Sequence, residues 1–268
     1  MLFFKKREGV HSSSEIDSKR ILNDDAPFAV REAYRTLYTN ILYLPIEDKC
    51  KKFAVTSAFP GEGKTIMSVN LAYTIAMNSA ESRILIIDAD MRSPRVCDLI
   101  SIKKRGLHGL SEYLAGIDDE PNIIPSIHGN LSVLAAGAES VNSPGLLCSS
   151  RMKKLLDYCS ERFDYIIFDT PPVNIVSDAI LLKDCVNGYF VVTRGDHSDI
   201  NSVSIALDAL NTAEANVLGF VLTAYDAKNG TRYGRYNKSG YGKYGRYYGR
   251  YGYGYGYGHR SSEPESEE

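Results

Sequence analysis

One short segment of the sequence combines glycines, a lysine and a hydroxyl residue in an order that suits phosphate binding. Residues 58–65 read Ala-Phe-Pro-Gly-Glu-Gly-Lys-Thr and lie between apolar runs typical of a strand and of a helix. A strand, a glycine-containing loop and a helix in this order place backbone N–H groups around a phosphate. Lys64 is expected to contact the β- and γ-phosphates of a nucleotide, and Thr65 to bind its magnesium ion. The alternative is an ordinary glycine-rich turn. The predicted nucleotide-binding residues are Pro60, Gly61, Glu62, Gly63, Lys64 and Thr65.

Three aspartates that follow apolar runs could complete such a site. Asp169 is the expected magnesium ligand, directly or through water, although a lone Asp at a strand end is more often a cap residue. Asp88 and Asp90 follow another run and, in an extended loop, point the same way. One could bind the metal while the other accepts a proton from an attacking hydroxyl. In the structural alternative, Asp88 caps a turn and Asp90 pairs with Arg92.

The elements that would position these residues alternate between strand and helix patterns. The alternation predicts an α/β fold of the P-loop NTPase type, with a doubly wound, mostly parallel sheet and helices on both faces. An amphipathic helix from Arg31 to Leu44 is expected between Pro27 and Pro45, ahead of the first strand. The predicted strands are Phe53–Ser57, Ile84–Ile87, Leu131–Leu134, Tyr165–Phe168, Tyr189–Thr193 and Val217–Thr223.

Composition divides the chain into three parts. Residues 1–26 are polar and serine-rich, which predicts a mobile leader, and residues 27–226 contain the α/β domain. Residues 227–268 predict a disordered tail with an acidic end, because tyrosine, glycine and basic residues alternate there and cannot build a core.

Charge and cysteine content exclude several function classes. The chain has 31 Lys and Arg residues against 33 Asp and Glu residues, so no specific binding of nucleic acid is expected. The five cysteines lack the spacing of zinc ligands or of a disulfide framework. No apolar run is long enough for a bilayer, and the expected compartment is the cytoplasm.

Three motifs together resemble those of a known family. Residues 58–65, 84–92 and 165–172 are similar to the Walker A, A′ and B motifs of the bacterial protein-tyrosine kinases of the capsular and exopolysaccharide type. The tyrosine-rich tail completes the likeness, which covers residues 27–258. The resemblance implies a protein-tyrosine autokinase that uses ATP and Mg²⁺ and controls polysaccharide synthesis or export.

The resemblance also implies a role for individual residues. Asp88 or Asp90 is the candidate base for the tyrosine hydroxyl, and Arg92 would stabilise charge or pair with Asp90. The implied catalytic residues are Lys64, Asp88, Asp90 and Asp169, and the implied metal ligands are Thr65, Asp88 and Asp169. The implied phosphate acceptors are Tyr233, Tyr236, Tyr241, Tyr244, Tyr247, Tyr248, Tyr251, Tyr253, Tyr255 and Tyr257.

Partners follow from the resemblance alone. The helix before the first strand carries Glu32 and Arg35 of an ExxRxxR motif, which implies subunit contacts in a ring, while Tyr38 replaces the second arginine. The alternative is an exposed ion pair within one helix. A transmembrane activator of the polysaccharide co-polymerase type and a tyrosine phosphatase are the other expected partners. The activator would recruit the chain to the inner face of the plasma membrane.

Two other functions remain open at this point. A Min- or Par-type ATPase shares the fold, but its P-loop has an extra lysine where this chain has Phe59. A second departure is Thr223, where relatives often carry an adenine-side asparagine. In a nucleotide-sensing adaptor, ATP would only set the assembly state, and the tail would bind partners, or even RNA, through its tyrosines and arginines.

Overall fold

The structure, a computed structural model, describes residues 20–23, 25–126 and 129–224. The helices of this part are α1 (Phe28–Leu42), α2 (Lys64–Asn78), α3 (Val96–Leu99), α4 (Leu110–Ala115), α5 (Ser143–Leu147), α6 (Ser150–Ser160) and α7 (Ile200–Thr212), with a 3₁₀ helix at Ser177–Cys185. The strands are β1 (Lys51–Ser57), β2 (Ile84–Asp88), β3 (Ile123–Pro125), β4 (Leu131–Leu134), β5 (Tyr165–Asp169), β6 (Gly188–Arg194) and β7 (Val217–Thr223).

The strands form one sheet in the order β3-β4-β2-β5-β1-β6-β7. All neighbouring pairs are parallel except β3 and β4, so the predicted mostly parallel α/β fold is confirmed. The six predicted strands are present, with ends shifted by at most two residues. The prediction missed β3, which has three residues at the edge of the sheet.

Helices cover both faces of the central strands. Strands β2 and β5 are buried along their whole length, which explains why apolar residues occupy successive positions. Helices α1 and α2 pack on the face that includes Phe53, Ile86 and Ile167. Helices α6 and α7 pack on the opposite face, against Ala54 and Phe168. The sheet is therefore held between two apolar layers.

The segment before β1 differs from its prediction in two respects. Helix α1 begins at Phe28, directly after Pro27, and buries only Ile41. The Leu22 N–H donates to Asn70 Oδ1 of α2 at 2.8 Å, and Asn70 Nδ2 donates to the Arg20 carbonyl at 3.1 Å. The end of the predicted leader is therefore attached to the domain, while residues 1–19 lie outside the described residues.

Within α1, Arg35 Nη1 lies 2.9 Å from Glu32 Oε1 on the exposed side of the helix. This is the ordinary ion pair of the alternative interpretation, and the subunit contact stays a prediction. The tail and its ten candidate tyrosines lie outside the described residues. No helix in the described ranges has both the length and the hydrophobicity needed to cross a membrane.

Candidate active site

The loop between β1 and α2 has the backbone geometry of a phosphate-binding loop. Gly61 and Gly63 have φ values of +84° and +96°, a left-handed conformation that favours glycine. Gly63 is also the N-cap of α2, so the loop opens onto the N-terminus of a 15-residue helix. Within the described part of the chain, nothing accepts a hydrogen bond from the N–H groups of residues 61–63. These free donors fit a phosphate group.

Lys64 and Asp90 meet at this loop. Lys64 Nζ lies 3.4 Å from Asp90 Oδ2, and the two side chains are only 13% and 6% exposed. The other oxygen of Asp90, Oδ1, accepts a hydrogen bond from the Ser93 N–H at 3.0 Å. The predicted phosphate-binding lysine is therefore held beside one of the two carboxylates predicted for proton transfer.

Parallel strand pairing brings Asp88 and Asp169 together. Their Cα atoms are register partners at the ends of β2 and β5. Side chains alternate along a strand, so Asp88 lies on the same face as Ile86, and Asp169 on the same face as Ile167. This is the face that α2 covers. Two acids 81 residues apart in sequence thus share one buried position beside the phosphate loop.

For both carboxylates, burial outweighs the neighbouring groups that stabilise the charged form. Asp169 Oδ1 accepts a hydrogen bond from Ser68 Oγ of α2 at 3.0 Å, whereas buried Oδ2 has no hydrogen-bond partner. Burial raises the pKa of Asp169 to about 6, although the Lys64 ammonium acts in the opposite direction. Burial, and then the Asp169 charge, raise the pKa of Asp88. A divalent cation would neutralise this pair, and the bare Asp169 oxygen fits a magnesium ligand.

Asp88 also has a structural role. Its two oxygens accept hydrogen bonds from the Asp90 N–H at 3.3 Å and from the Val96 N–H at 3.0 Å. These bonds hold the loop after β2, as the capping alternative expected, and they keep the carboxylate next to Asp169.

The structural alternative, in which Arg92 pairs with Asp90, is wrong. Its Nε lies 3.2 Å from Asp178 Oδ2 in the 3₁₀ helix, because Asp90 is already paired with Lys64. Asp178 is fully buried and also accepts a hydrogen bond from Ser143 Oγ. Arg92 is 35% exposed, and its role as charge stabiliser stays a prediction.

Sequence reasoning missed several residues that shape the site. Ser68 follows Lys64 by one helical turn, and that spacing on α2 was a usable signal. Asp178 and Ser198 lie in segments without a recognisable motif, and their partners are distant in sequence. Thr223, noted only as a departure, donates from Oγ1 to the Glu62 carbonyl at 2.7 Å.

The fold and the loop define a P-loop NTPase. Residues 49–238 match the family described as ParA: NUBPL iron-transfer P-loop NTPase. The chain is 33% identical over 203 residues to the tyrosine-protein kinase Etk of Escherichia coli K12, a match that covers 75% of this chain and 27% of Etk. It is 32% identical over 206 residues to the tyrosine-protein kinase YwqD of Bacillus subtilis 168, covering 76% of this chain and 85% of YwqD.

A solved structure shows the same relationship. The kinase domain of the E. coli tyrosine kinase ETK superposes with a TM-score of 0.66 at 34% identity, and the match covers 73% of this chain and 79% of that domain. The chain belongs to the bacterial tyrosine-protein kinase family. It spans about a quarter of the length of Etk and most of the length of YwqD.

Proposed function

We propose that this chain is an ATP-dependent protein-tyrosine kinase that phosphorylates the tyrosine-rich tail of a neighbouring copy. One observation carries the proposal: Lys64, Asp88, Asp90 and Asp169 all lie around a loop with free N–H donors. Membership of the tyrosine-kinase family supports tyrosine as the acceptor.

In this proposal the phosphate loop and Lys64 hold the triphosphate of ATP. Thr65, Asp88 and Asp169 hold Mg²⁺, which supplies positive charge to the phosphates. The tyrosine oxygen forms a bond to the γ-phosphorus while the bond to the bridging oxygen of ADP breaks. Because a tyrosine hydroxyl has a pKa of about 10, a carboxylate must take its proton during transfer. Asp90 is the better candidate, since it lies beside Lys64, whereas Asp88 lies beside Asp169 in the proposed metal site.

The tail suits the role of acceptor. Its ten tyrosines between Tyr233 and Tyr257 alternate in sequence with glycine and basic residues, so they have similar sequence contexts as candidate acceptors. Each phosphate adds about −1.5 to −2 charge, so several phosphates would turn this basic segment acidic. Assembly that depends on the tail would then be reversible.

The wider biological role rests on the family. We propose control of capsular or exopolysaccharide synthesis or export, with a transmembrane activator that recruits the chain to the inner face of the plasma membrane and a phosphatase that removes the phosphates. Glu32 and Arg35 are proposed contacts of a ring of subunits.

Phosphate mapping tests the proposal. The purified chain is incubated with MgATP, with and without the cytoplasmic tail of a candidate activator, and phosphate is located by mass spectrometry. Phosphotyrosine is expected between Tyr233 and Tyr257, and Lys64→Met should reduce it at least about 100-fold. Unmodified tyrosines together with rapid ATP turnover would favour a partitioning-type ATPase. Nucleotide-dependent assembly without any turnover would favour an adaptor.

A further inference from the structure

The phosphate loop contains the carboxylate of Glu62, a predicted nucleotide-binding residue to whose side chain the proposed function gives no role. Glu62 has no exposed surface, although it lies in a loop suited to anions. A buried carboxylate is costly unless hydrogen bonds replace its lost hydration, and its charge opposes that of a phosphate. Binding of a nucleotide therefore does not explain why this side chain is there.

Two donors satisfy the Glu62 carboxylate. The Phe59 N–H donates to Oε2 at 2.9 Å, which closes the loop on itself. The Ser198 hydroxyl, in the connection between β6 and α7, donates to Oε1. Ser198 Oγ in turn accepts from the Arg194 N–H at 2.7 Å. Glu62 thus connects the phosphate loop with residues 194–199, which we call the β6–α7 loop.

The backbone of the phosphate loop is also anchored to this side of the protein, by side chains of β6 and β7. Arg194 Nη1 donates to the Gly61 carbonyl at 3.0 Å, and Thr223 Oγ1 donates to the Glu62 carbonyl at 2.7 Å. The C=O and N–H of one planar peptide unit point in opposite directions. Anchoring the carbonyls of Gly61 and Glu62 therefore turns the N–H groups of Glu62 and Gly63 away from the anchors, as free donors.

We propose that Glu62 is a positioning residue that holds the phosphate loop in its nucleotide-binding conformation by tying it to the β6–α7 loop. Its carboxylate stays on the protein side of the loop and does not contact the nucleotide. The inference rests only on the nucleotide binding within the proposed function, and it does not depend on tyrosine as the acceptor.

The charge of Glu62 and its role in holding the phosphate loop predict opposite effects of Glu62→Ala on nucleotide binding. Removal of a negative charge beside the phosphates would tighten nucleotide binding, whereas loss of the tie would weaken it. Because two hydrogen bonds are lost and their partly buried donors are left without this acceptor, we expect the Kd of MgATP to rise about tenfold. Glu62→Gln can accept from the Phe59 N–H and donate to Ser198 Oγ, so its Kd should stay within about threefold of the unchanged chain.

The experiment measures binding of a fluorescent ATP analogue, with MgATP and MgADP as competitors, to the full chain and its variants. Glu62→Ala should weaken the binding of both nucleotides. In the phosphorylation assay it should raise KM for ATP about tenfold while kcat changes less than about threefold. Ser198→Ala alone should raise the Kd of MgATP about threefold. In the Glu62→Ala background its effect should be smaller, because the bond between Ser198 and Glu62 is already lost there and only the bond from the Arg194 N–H remains to be removed.

Glu112→Ala is the matched control. Glu112 is also a buried carboxylate that accepts from a backbone N–H, that of Gly109 at 2.8 Å, and from a serine hydroxyl, that of Ser111 at 2.9 Å. Its loss should lower stability without weakening nucleotide binding by the folded protein.

The inference would be overturned if Glu62→Ala bound nucleotide as tightly as the unchanged chain, or more tightly. It would also be overturned if Glu112→Ala lost as much nucleotide affinity as Glu62→Ala. Failure of the unchanged chain to bind MgATP would overturn both the inference and the proposed function. Normal binding without tyrosine transfer would overturn the proposed function alone.

Discussion

Replacing Asp169 by asparagine should stabilise the protein in the absence of nucleotide and metal. Asp169 is fully buried beside Asp88, and its pKa is raised from 3.8 to about 6. An acid whose pKa is higher in the folded state stabilises the fold at low pH, and this contribution is lost as the pH rises through about 6. The asparagine side chain carries no charge at any pH, so the variant avoids that loss.

The difference in pKa sets the size of the effect. A pKa of about 6 in place of 3.8 corresponds to about 3 kcal/mol at pH 8. By the same linkage, the destabilisation that the raised pKa of Asp169 causes at pH 5 is about half of its value at pH 8, because the folded protein is mostly protonated at Asp169 at pH 5. The advantage of Asp169→Asn should therefore be about 1 to 2 kcal/mol larger at pH 8 than at pH 5, which is about 2 to 8 °C in Tm for a domain of this size.

Thermal unfolding followed by circular dichroism at pH 5 and pH 8 measures this directly. Asp157→Asn is the control, because it removes the same charge from an exposed position of α6 and should leave Tm unchanged at both pH values. MgATP should raise the Tm of the unchanged chain at pH 8 and have little effect on Asp169→Asn, which lacks the charge proposed to bind the metal.

The reasoning would be refuted if Asp169→Asn were less stable than the unchanged chain at pH 8. It would also be refuted by an equal shift in Tm at both pH values. Retained stabilisation of the variant by MgATP would remove Asp169 from the metal site.

Three further changes test other parts of the structure. Gly63→Ala forces a side chain onto a residue with φ of +96°, which costs about 1 to 2 kcal/mol and should weaken MgATP binding at least about tenfold in the fluorescence assay. Asp178→Ala leaves Arg92 without its buried partner and should lower the free energy of unfolding by about 3 kcal/mol in urea titrations. Alanine at both Glu32 and Arg35 removes an exposed pair worth at most about 0.5 kcal/mol, so monomer stability should hold while sedimentation shows smaller assemblies.

The parts of the fold predicted from the sequence depend on local order. The phosphate loop was predictable because its strand, its glycines and its helix are contiguous, and left-handed backbone at Gly63 is what a glycine at that position permits. The location of Asp88 and Asp169 at one edge of the sheet was predictable because each ends an apolar run, and parallel strands end at the same edge of a sheet. Strand β3 was missed because three residues ending in a proline give no periodic signal.

The contacts missed from the sequence depend on tertiary structure. Arg92 pairs with a carboxylate 86 positions away, and the Glu62 carboxylate contacts a serine 136 positions away. Neither partner lies in a motif, so nothing in the sequence distinguishes it from other polar residues of the same type. Pairing of Arg92 with Asp90 was one of two alternatives and rested on proximity in sequence, whereas in the structure Asp90 pairs with Lys64 and Arg92 with Asp178.

The central claim is that one copy of the chain transfers phosphate to the tail tyrosines of another. A full-length chain with all ten tail tyrosines replaced by phenylalanine, mixed with a full-length Lys64→Met chain and MgATP, tests this transfer directly. Phosphotyrosine should appear on the Lys64→Met chain between Tyr233 and Tyr257, and only when the other chain is present. Absence of phosphate from that chain, while the unchanged protein phosphorylates its own tail, would contradict transfer between copies.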